Sequence, residues 1–271
     1  MIPFGLVQMS SQNDLKANLH VMESFCVEAF ERKTEILVFP EMAYFMGSQS
    51  DWMPLLSHYD SLIATFAEWA KKYRLFLLPG SLREPVEGRP GKYFNTLPVL
   101  SPKGALLARY RKIFLFRANL PDRIYEEGLH CEAGSHVVTC DVTKAILGLS
   151  LCFDLRFPEL FRALRYRESQ IICLPSAFTV PTGSAHWETL LRSRAIENQC
   201  FVIAPAQTGK VGEGKETYGH SLAISPWGEV LLDLGIRPGL GIVEIQLDKM
   251  AESEGRVAAW SSRRDDIFPT G

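Results

Sequence analysis

The chain has 271 residues, 46% hydrophobic and 22% charged, which is enough apolar material for one large core and a single domain over 1–271. A formal net charge of −2 leaves no global field for nucleic acid or anionic lipid, and no apolar run is long enough to span a bilayer. Met1-Ile2-Pro3-Phe4-Gly5 has no basic leader, and the six cysteines lack CxxC or histidine ligand spacing, so the expectation is reduced thiols in a cytoplasmic protein without a metal site.

Strand and helix signals alternate along the chain. Phe4 to Met9 predicts a strand, and Asn13 or Asp14 can cap a helix with apolar face Leu15, Leu19, Met22, Cys26 and Phe30. Ile36 to Phe39 predicts a buried strand running into Pro40-Glu41. Leu62, Phe66, Trp69 and Tyr73 mark a second amphipathic helix, followed by a strand at Leu75 to Leu78. Strands at Tyr93 to Leu100 and Ala105 to Tyr110 flank the turn Ser101-Pro102-Lys103-Gly104. The run Ala145 to Leu151 predicts a strand that stops at Cys152, and Pro158 is placed to open a helix. A strand at Gln170 to Leu174, a helix from His186 to Gln199 and a strand at Cys200 to Ala204 follow. The tail predicts hairpin strands at Gly219 to Ser225, Val230 to Leu234 and Gly241 to Leu247.

Four apolar strands end in proline, at Pro40, Pro79, Pro175 and Pro205. Proline cannot continue a central ladder, so these strand ends face a common side of a layered α/β fold. Chemistry gathers there. Glu41 follows Pro40, Lys112 follows the strand ending at Tyr110, and Cys152 ends its own strand. Singly, each has a plain explanation as turn carboxylate, solvated charge or core thiol. Together, one acid, one amine and one thiol delivered by three strands can converge in one pocket.

In these contexts the sequence resembles the nitrilase, or carbon–nitrogen hydrolase, superfamily. The motifs are Phe39-Pro40-Glu41, then Tyr110-Arg111-Lys112-Ile113-Phe114-Leu115-Phe116, then Leu151-Cys152-Phe153-Asp154-Leu155-Arg156-Phe157-Pro158-Glu159, in that order. Supporting segments are Pro175-Ser176-Ala177-Phe178, His186-Trp187-Glu188 and Tyr218-Gly219-His220-Ser221. The resemblance implies a four-layer αββα sandwich and a Glu41, Lys112, Cys152 triad. It also implies a second pocket glutamate at Glu127, with Glu126 adjacent. Such a site would act on a small amide with water and no cofactor, with Tyr44, Phe153, Arg156, Phe178 and His186 as candidate substrate contacts. The branch hydrolysing deaminated glutathione is most similar, and the ω-amidase branch acting on α-ketoglutaramate is the runner-up. Arg117-Ala118-Asn119-Leu120 and the segment Lys210 to Lys215 depart from the usual pattern.

The chemistry fits those residue types. A free thiol with pKa near ~8.5 is mostly protonated at neutral pH and needs a base or a cation beside it. Glu41 can take that proton, while Lys112 can stabilise the thiolate and, with the Phe153 amide, an oxyanion. A catalytically silent member that binds a metabolite or partner is the rival reading, and the intact triad types weigh against it. Gly219-His220-Ser221-Leu222-Ala223 imitates a serine elbow but runs into a predicted strand instead of a helix. Lys210 to Lys215 lacks a phosphate-loop spacing and reads as a mobile loop, a candidate lid. His186 and His220 read as structural or pocket-lining groups. Leu160, Phe161, Ala163 and Leu164 form a wide stripe on the helix from Pro158, which with Trp260 and Phe268 suggests a homodimer contact.

Overall fold

Apolar runs that are buried on both faces build the centre of each sheet. A computed structural model describes residues 1–119, 124–212 and 215–268. Strand β1 (Ile2–Gln8) is followed by helix α1 (Leu15–Glu31), whose cap is Asp14, accepting from the Ala17 amide at 3.0 Å. Then come β2 (Ile36–Val38), the short α2 (Gln49–Trp52), α3 (Tyr59–Lys72) and β3 (Phe76–Leu78). Strands β4 (Leu82–Pro85), β5 (Tyr93–Leu100) and β6 (Leu106–Arg111) pair antiparallel about β5. The sequence reading missed β4, because Arg83 and Glu84 interrupt the apolar signal. Strands β7 (Arg117–Asn119) and β8 (Ile124–Glu126) form a hairpin, and β9 (Cys131–Glu132) joins β5.

The second half runs through β10 (Thr139–Asp141), β11 (Ile146–Leu149), α4 (Pro158–Tyr166), β12 (Ile171–Cys173), α5 (Val180–Asn198) and β13 (Phe201–Ala204). Helix α5 starts six residues before the expected His186, because Pro181 suits a first turn and Gly183 lets the helix lie against Tyr218. A Cβ on Gly183 would stand 2.3 Å from the Tyr218 ring. Strands β14 (Thr208–Val211) and β15 (Lys215–Tyr218) pair, so the segment read as a mobile loop is a β-hairpin whose tip, 213–214, lies outside the described residues. Strands β16 (Leu222–Ile224), β17 (Val230–Asp233) and β18 (Gly239–Ile245) precede α6 (Asp248–Arg256). Only β16 and β17 form the expected tail hairpin. β18 leaves it and pairs antiparallel with β1.

The first sheet has the order β18-β1-β2-β3-β5-β4, with β6 and β9 on β5, and the second is β10-β11-β12-β13-β16-β17. Phe4, Leu6, Val38 and Val99 of the first sheet share one core with Leu147, Leu149 and Val202 of the second. Alternate residues Val7, Leu37 and Leu77 pack instead with Met22, Cys26 and Phe66 of α1 and α3. Helices α4 and α5 cover the second sheet through Phe161, Leu164, Trp187 and Leu191. The layers are α, β, β, α.

One expectation is corrected here. Leu160, Phe161 and Leu164 are buried in the chain's own core, so the stripe on α4 serves the fold and is not free for a partner. Trp260 is likewise engaged, packed against Tyr166 at 5.0 Å between ring centroids and under the guanidiniums of Arg162, Arg165 and Arg263. Among the described residues, no helix is long and apolar enough to cross a membrane.

Candidate active site

Three strand ends open on one cavity of 320 Å³, lined by Glu41, Lys112, Glu127 and Cys152 among others. Glu41 leaves β2 on a loop whose carbonyl accepts from Gln207 Nε2 at 3.0 Å, while Ser81 Oγ accepts the next amide, that of Met42, at 3.2 Å. Lys112 leaves β6 with its amide bonded to the Asn95 carbonyl at 2.8 Å and its own carbonyl accepting from Gly134 at 2.8 Å. Cys152 leaves β11 at φ +45, a left-handed conformation that few residues with a side chain adopt, and opens a single 3₁₀ turn to Arg156. Its amide donates to the Pro175 carbonyl at 3.0 Å.

Lys112 is only 1% exposed and lies between two carboxylates, 3.1 Å from Glu41 Oε1 and 2.9 Å from Glu127 Oε2. Burial opposes its charge, but Glu127 and Glu41 outweigh burial and hold the ammonium well above its ordinary pKa. Burial likewise opposes ionisation of Glu127, yet Lys112, the Phe116 amide and Asn95 keep it below the usual carboxylate range. Glu126, the adjacent candidate, also lines the cavity but is exposed and meets Arg117 at 3.8 Å instead of Lys112. At Cys152, burial and the hydrogen-bonded Glu41 carboxylate push the thiol well above its ordinary pKa, against the pull of Lys112 and the Ala177 amide. The resting sulfur is therefore a thiol already bonded to a base.

Other groups brace this centre, and sequence reasoning missed them. Asn95 Nδ2 donates to Glu41 Oε1 at 2.9 Å and Glu127 Oε1 at 3.1 Å, tying the two carboxylates together. A polar Asn inside the run of β5 was the available signal. Asp154 is buried and accepts from Tyr110 Oη at 2.6 Å, the Leu151 amide at 2.8 Å and the Phe114 amide at 3.0 Å. One carboxylate thus joins the turn carrying Cys152 to the loop after Lys112.

Burial raises the Asp154 carboxyl to about 6 despite those donors. Its folded pKa exceeds the ordinary 3.8, so folding takes up a proton between these values, and its contribution to stability grows as pH falls through 6. Asp154→Asn should remove a component on the order of 2–3 kcal/mol by pH 4. Urea unfolding at pH 7, 6 and 4.5 should show the variant losing stability more steeply with acid than the wild type. Parallel curves would contradict this.

Of the expected substrate contacts, Phe153, Arg156 and Phe178 line the cavity. The Arg156 guanidinium stands 5.8 Å and 5.6 Å from the Phe153 and Phe178 ring centres. His186 does not line it; it is exposed on α5, with Nδ1 3.4 Å from Arg156 Nη1, because the earlier helix start turns that position outward. Tyr44 is buried behind the wall, and its hydroxyl accepts from Arg83 Nη1 at 3.1 Å. His220 pairs with Asp233 at 3.0 Å, away from the cavity, and Ser221 is followed by strand β16. Val211, Lys215, Glu216 and Thr217 of the β14–β15 hairpin form part of the lining. Among the described residues, no three His, Cys, Asp or Glu side chains gather as a metal site.

Fold and site define an enzyme acting on carbon–nitrogen amide bonds. The carbon-nitrogen hydrolase family profile matches residues 4–254, and the chain belongs to that family, within the nitrilase superfamily. Deaminated glutathione amidase of Synechocystis sp. is 38% identical over 250 residues, covering 91% of this chain and 92% of its own. Omega-amidase NIT2 of Homo sapiens is 37% identical over 273 residues, covering 97% and 95%. Among solved structures, the fold is similar to the NitFhit protein of C. elegans, with a TM-score of 0.93 and 34% identity, covering 99% of this chain and 66% of that one.

Proposed function

We propose that the protein is a thiol amidohydrolase cleaving a small linear carboxamide through a thioester on Cys152. The observation that carries this is a buried thiol bonded to Glu41, beside an ammonium held between Glu41 and Glu127. Glu41 takes the thiol proton as sulfur attacks the amide carbon. The oxyanion then meets Lys112 and the Phe153 amide, which lies in the first turn of a 3₁₀ helix, where amides lack intrahelical partners. Each such donor is worth about 3 kcal/mol. Collapse breaks the C–N bond, and Glu41 returns its proton to the leaving amine. Water, deprotonated by Glu41, then cleaves the thioester to a carboxylic acid and free Cys152. Glu127 keeps Lys112 charged and aimed.

For the substrate we favour deaminated glutathione, on the strength of the Synechocystis relative's name and the motif contexts around Cys152 and Phe178. α-Ketoglutaramate is the second reading, supported by the near-equal identity of the human omega-amidase. A screen for ammonia and amine release over ω-amides and γ-glutamyl-type amides tests both, and deaminated glutathione should give the highest kcat/KM. Release from none of them would overturn the amidase reading in favour of a silent binding protein.

The cytoplasm remains our proposed location, on six free and buried cysteines. For assembly we propose a homodimer formed by the outer face of α4 and the C-terminal segment. Glu159, Arg162, Tyr166, Arg263 and Phe268 line an 850 Å³ groove there, and Phe268 is 75% exposed. Light scattering at micromolar concentration should give twice the chain mass. A fully active monomer would sink this idea.

A further inference from the structure

Glu41 and Cys152 come from different sheets. Glu41 follows β2 of the first sheet, and Cys152 follows β11 of the second. Apolar contact between the sheets is non-directional, so it does not by itself fix how the two strand ends align. Hydrogen bonds do, because they demand both distance and angle.

Gln207, between β13 and β14, carries such bonds to both sides. It is fully buried and does not line the cavity. Its backbone belongs to the side that carries the thiol. The Gln207 amide donates to the Ser176 carbonyl at 3.0 Å, and the preceding carbonyl, that of Pro175, accepts from the Cys152 amide. Its side chain crosses to the side that carries the base. Nε2 donates to the Glu41 carbonyl at 3.0 Å and to Ser11 Oγ at 2.8 Å, while Oε1 accepts from the Ser11 amide at 3.0 Å. Hydrogen bonds and peptide links thus join the Cys152 amide to the Glu41 carbonyl, with the Gln207 side chain as the crossing.

The bond to Glu41 falls where the backbone needs it. Met42 is held at φ +53, a left-handed conformation that costs a residue with a side chain. The peptide unit between Glu41 and Met42 is fixed at both polar atoms, its carbonyl by Gln207 and its amide by Ser81 Oγ. Rotation of that unit would turn the Glu41 carboxylate relative to sulfur.

Gln8 supplies a contrast. It is equally buried and also joins the two halves, its Oε1 accepting from the Ser221 amide at 2.8 Å and the Ser221 hydroxyl at 2.9 Å. Its Nε2 donates to the Gly235 and Arg237 carbonyls, so its side chain holds neither the Glu41 loop nor the Pro175-Ser176 segment.

We propose that Gln207 is a positioning residue, which holds the Glu41–Met42 peptide against the segment that carries Cys152 and so aligns the base with the thiol. The inference rests on the amidase reading above and adds a residue that acts on the reaction without touching the substrate.

The test compares Gln207→Met with Gln8→Met, two near-isosteric losses of a buried amide. Gln207→Met should lower kcat at least ~30-fold with KM within about threefold of wild type, because the cavity lining is unchanged. Gln8→Met should lower the melting temperature and leave kcat within about threefold. Gln207→Asn, a milder change whose amide falls one carbon short of Glu41, should also lower kcat and decides the matter if Gln207→Met does not fold. A second readout needs no turnover. Alkylation of Cys152 by iodoacetamide at neutral pH, read by intact mass, should slow about tenfold in either Gln207 variant and not in Gln8→Met. A folded Gln207 variant with wild-type kcat and wild-type alkylation overturns the proposal and leaves the amidase reading intact. Equal kcat losses in Gln8→Met and Gln207→Met also overturn it, since general loosening would then account for both. Absent turnover of every amide, together with slower alkylation in the Gln207 variants alone, would remove the amidase reading and retain the alignment.

Discussion

Cys152→Ala is expected to lower turnover at least ~1000-fold while the chain still folds, because in the proposed mechanism it removes the atom that forms the thioester. The volume change is small, and the left-handed backbone at residue 152 strains alanine no more than cysteine. Circular dichroism and melting should therefore stay close to wild type. In the wild type, a slow amide should leave a mass on Cys152 equal to its acyl group, and that mass should be absent from the variant. Retention of even a tenth of the wild-type rate would assign the nucleophile elsewhere. The other five cysteines are also buried, but none of them lines the cavity.

Lys112→Met should cost at least ~100-fold in kcat, since in the proposed mechanism it removes a preorganised oxyanion donor. A second consequence follows from the geometry. Glu41 and Glu127 would remain joined through Asn95 with no cation between them. Two carboxylates in one buried site cannot both ionise cheaply, so one should take up a proton and rise in pKa. The acid limb of the pH–rate profile should then shift upward. Stability follows the same sign: carboxyls held above their unfolded pKa gain folded-state protons as pH falls, so the variant's stability deficit should shrink from pH 7 toward pH 5. Stopped-flow or steady-state kinetics over pH 5–9 and urea titrations would check both parts. A variant that raises KM alone would make Lys112 a substrate contact and not an oxyanion donor.

Much of the architecture was legible in the chain. Runs such as Leu37-Val38-Phe39-Pro40 and Ile172-Cys173-Leu174-Pro175 announce short strands with ends on one side, because a parallel strand buried on both faces must be apolar throughout. Those strand ends, with the family motifs around them, are enough to nominate Glu41, Lys112 and Cys152. What stayed hidden depends on pairing. β4 escaped notice because Arg83 and Glu84 look like a solvated turn, and only register shows that one faces the cavity while the other meets arginines. His186 moved out of the pocket because the start of α5 is set by Pro181 and by the contact of Gly183 with Tyr218, which periodicity does not record.

Strand and helix alternation, the chemical types at the strand ends and their order can be read along the chain alone, since hydrophobic period and punctuation are local properties. Which partner each charge meets is a matter of three-dimensional packing. Lys112 lies between two carboxylates, Asn95 ties those carboxylates together, and Arg83 is left with neutral hydroxyls and ring faces. Pairings across 15 to 71 residues of chain are set by sheet register and burial, and the energy of a buried charge depends on which neighbours those bring within reach.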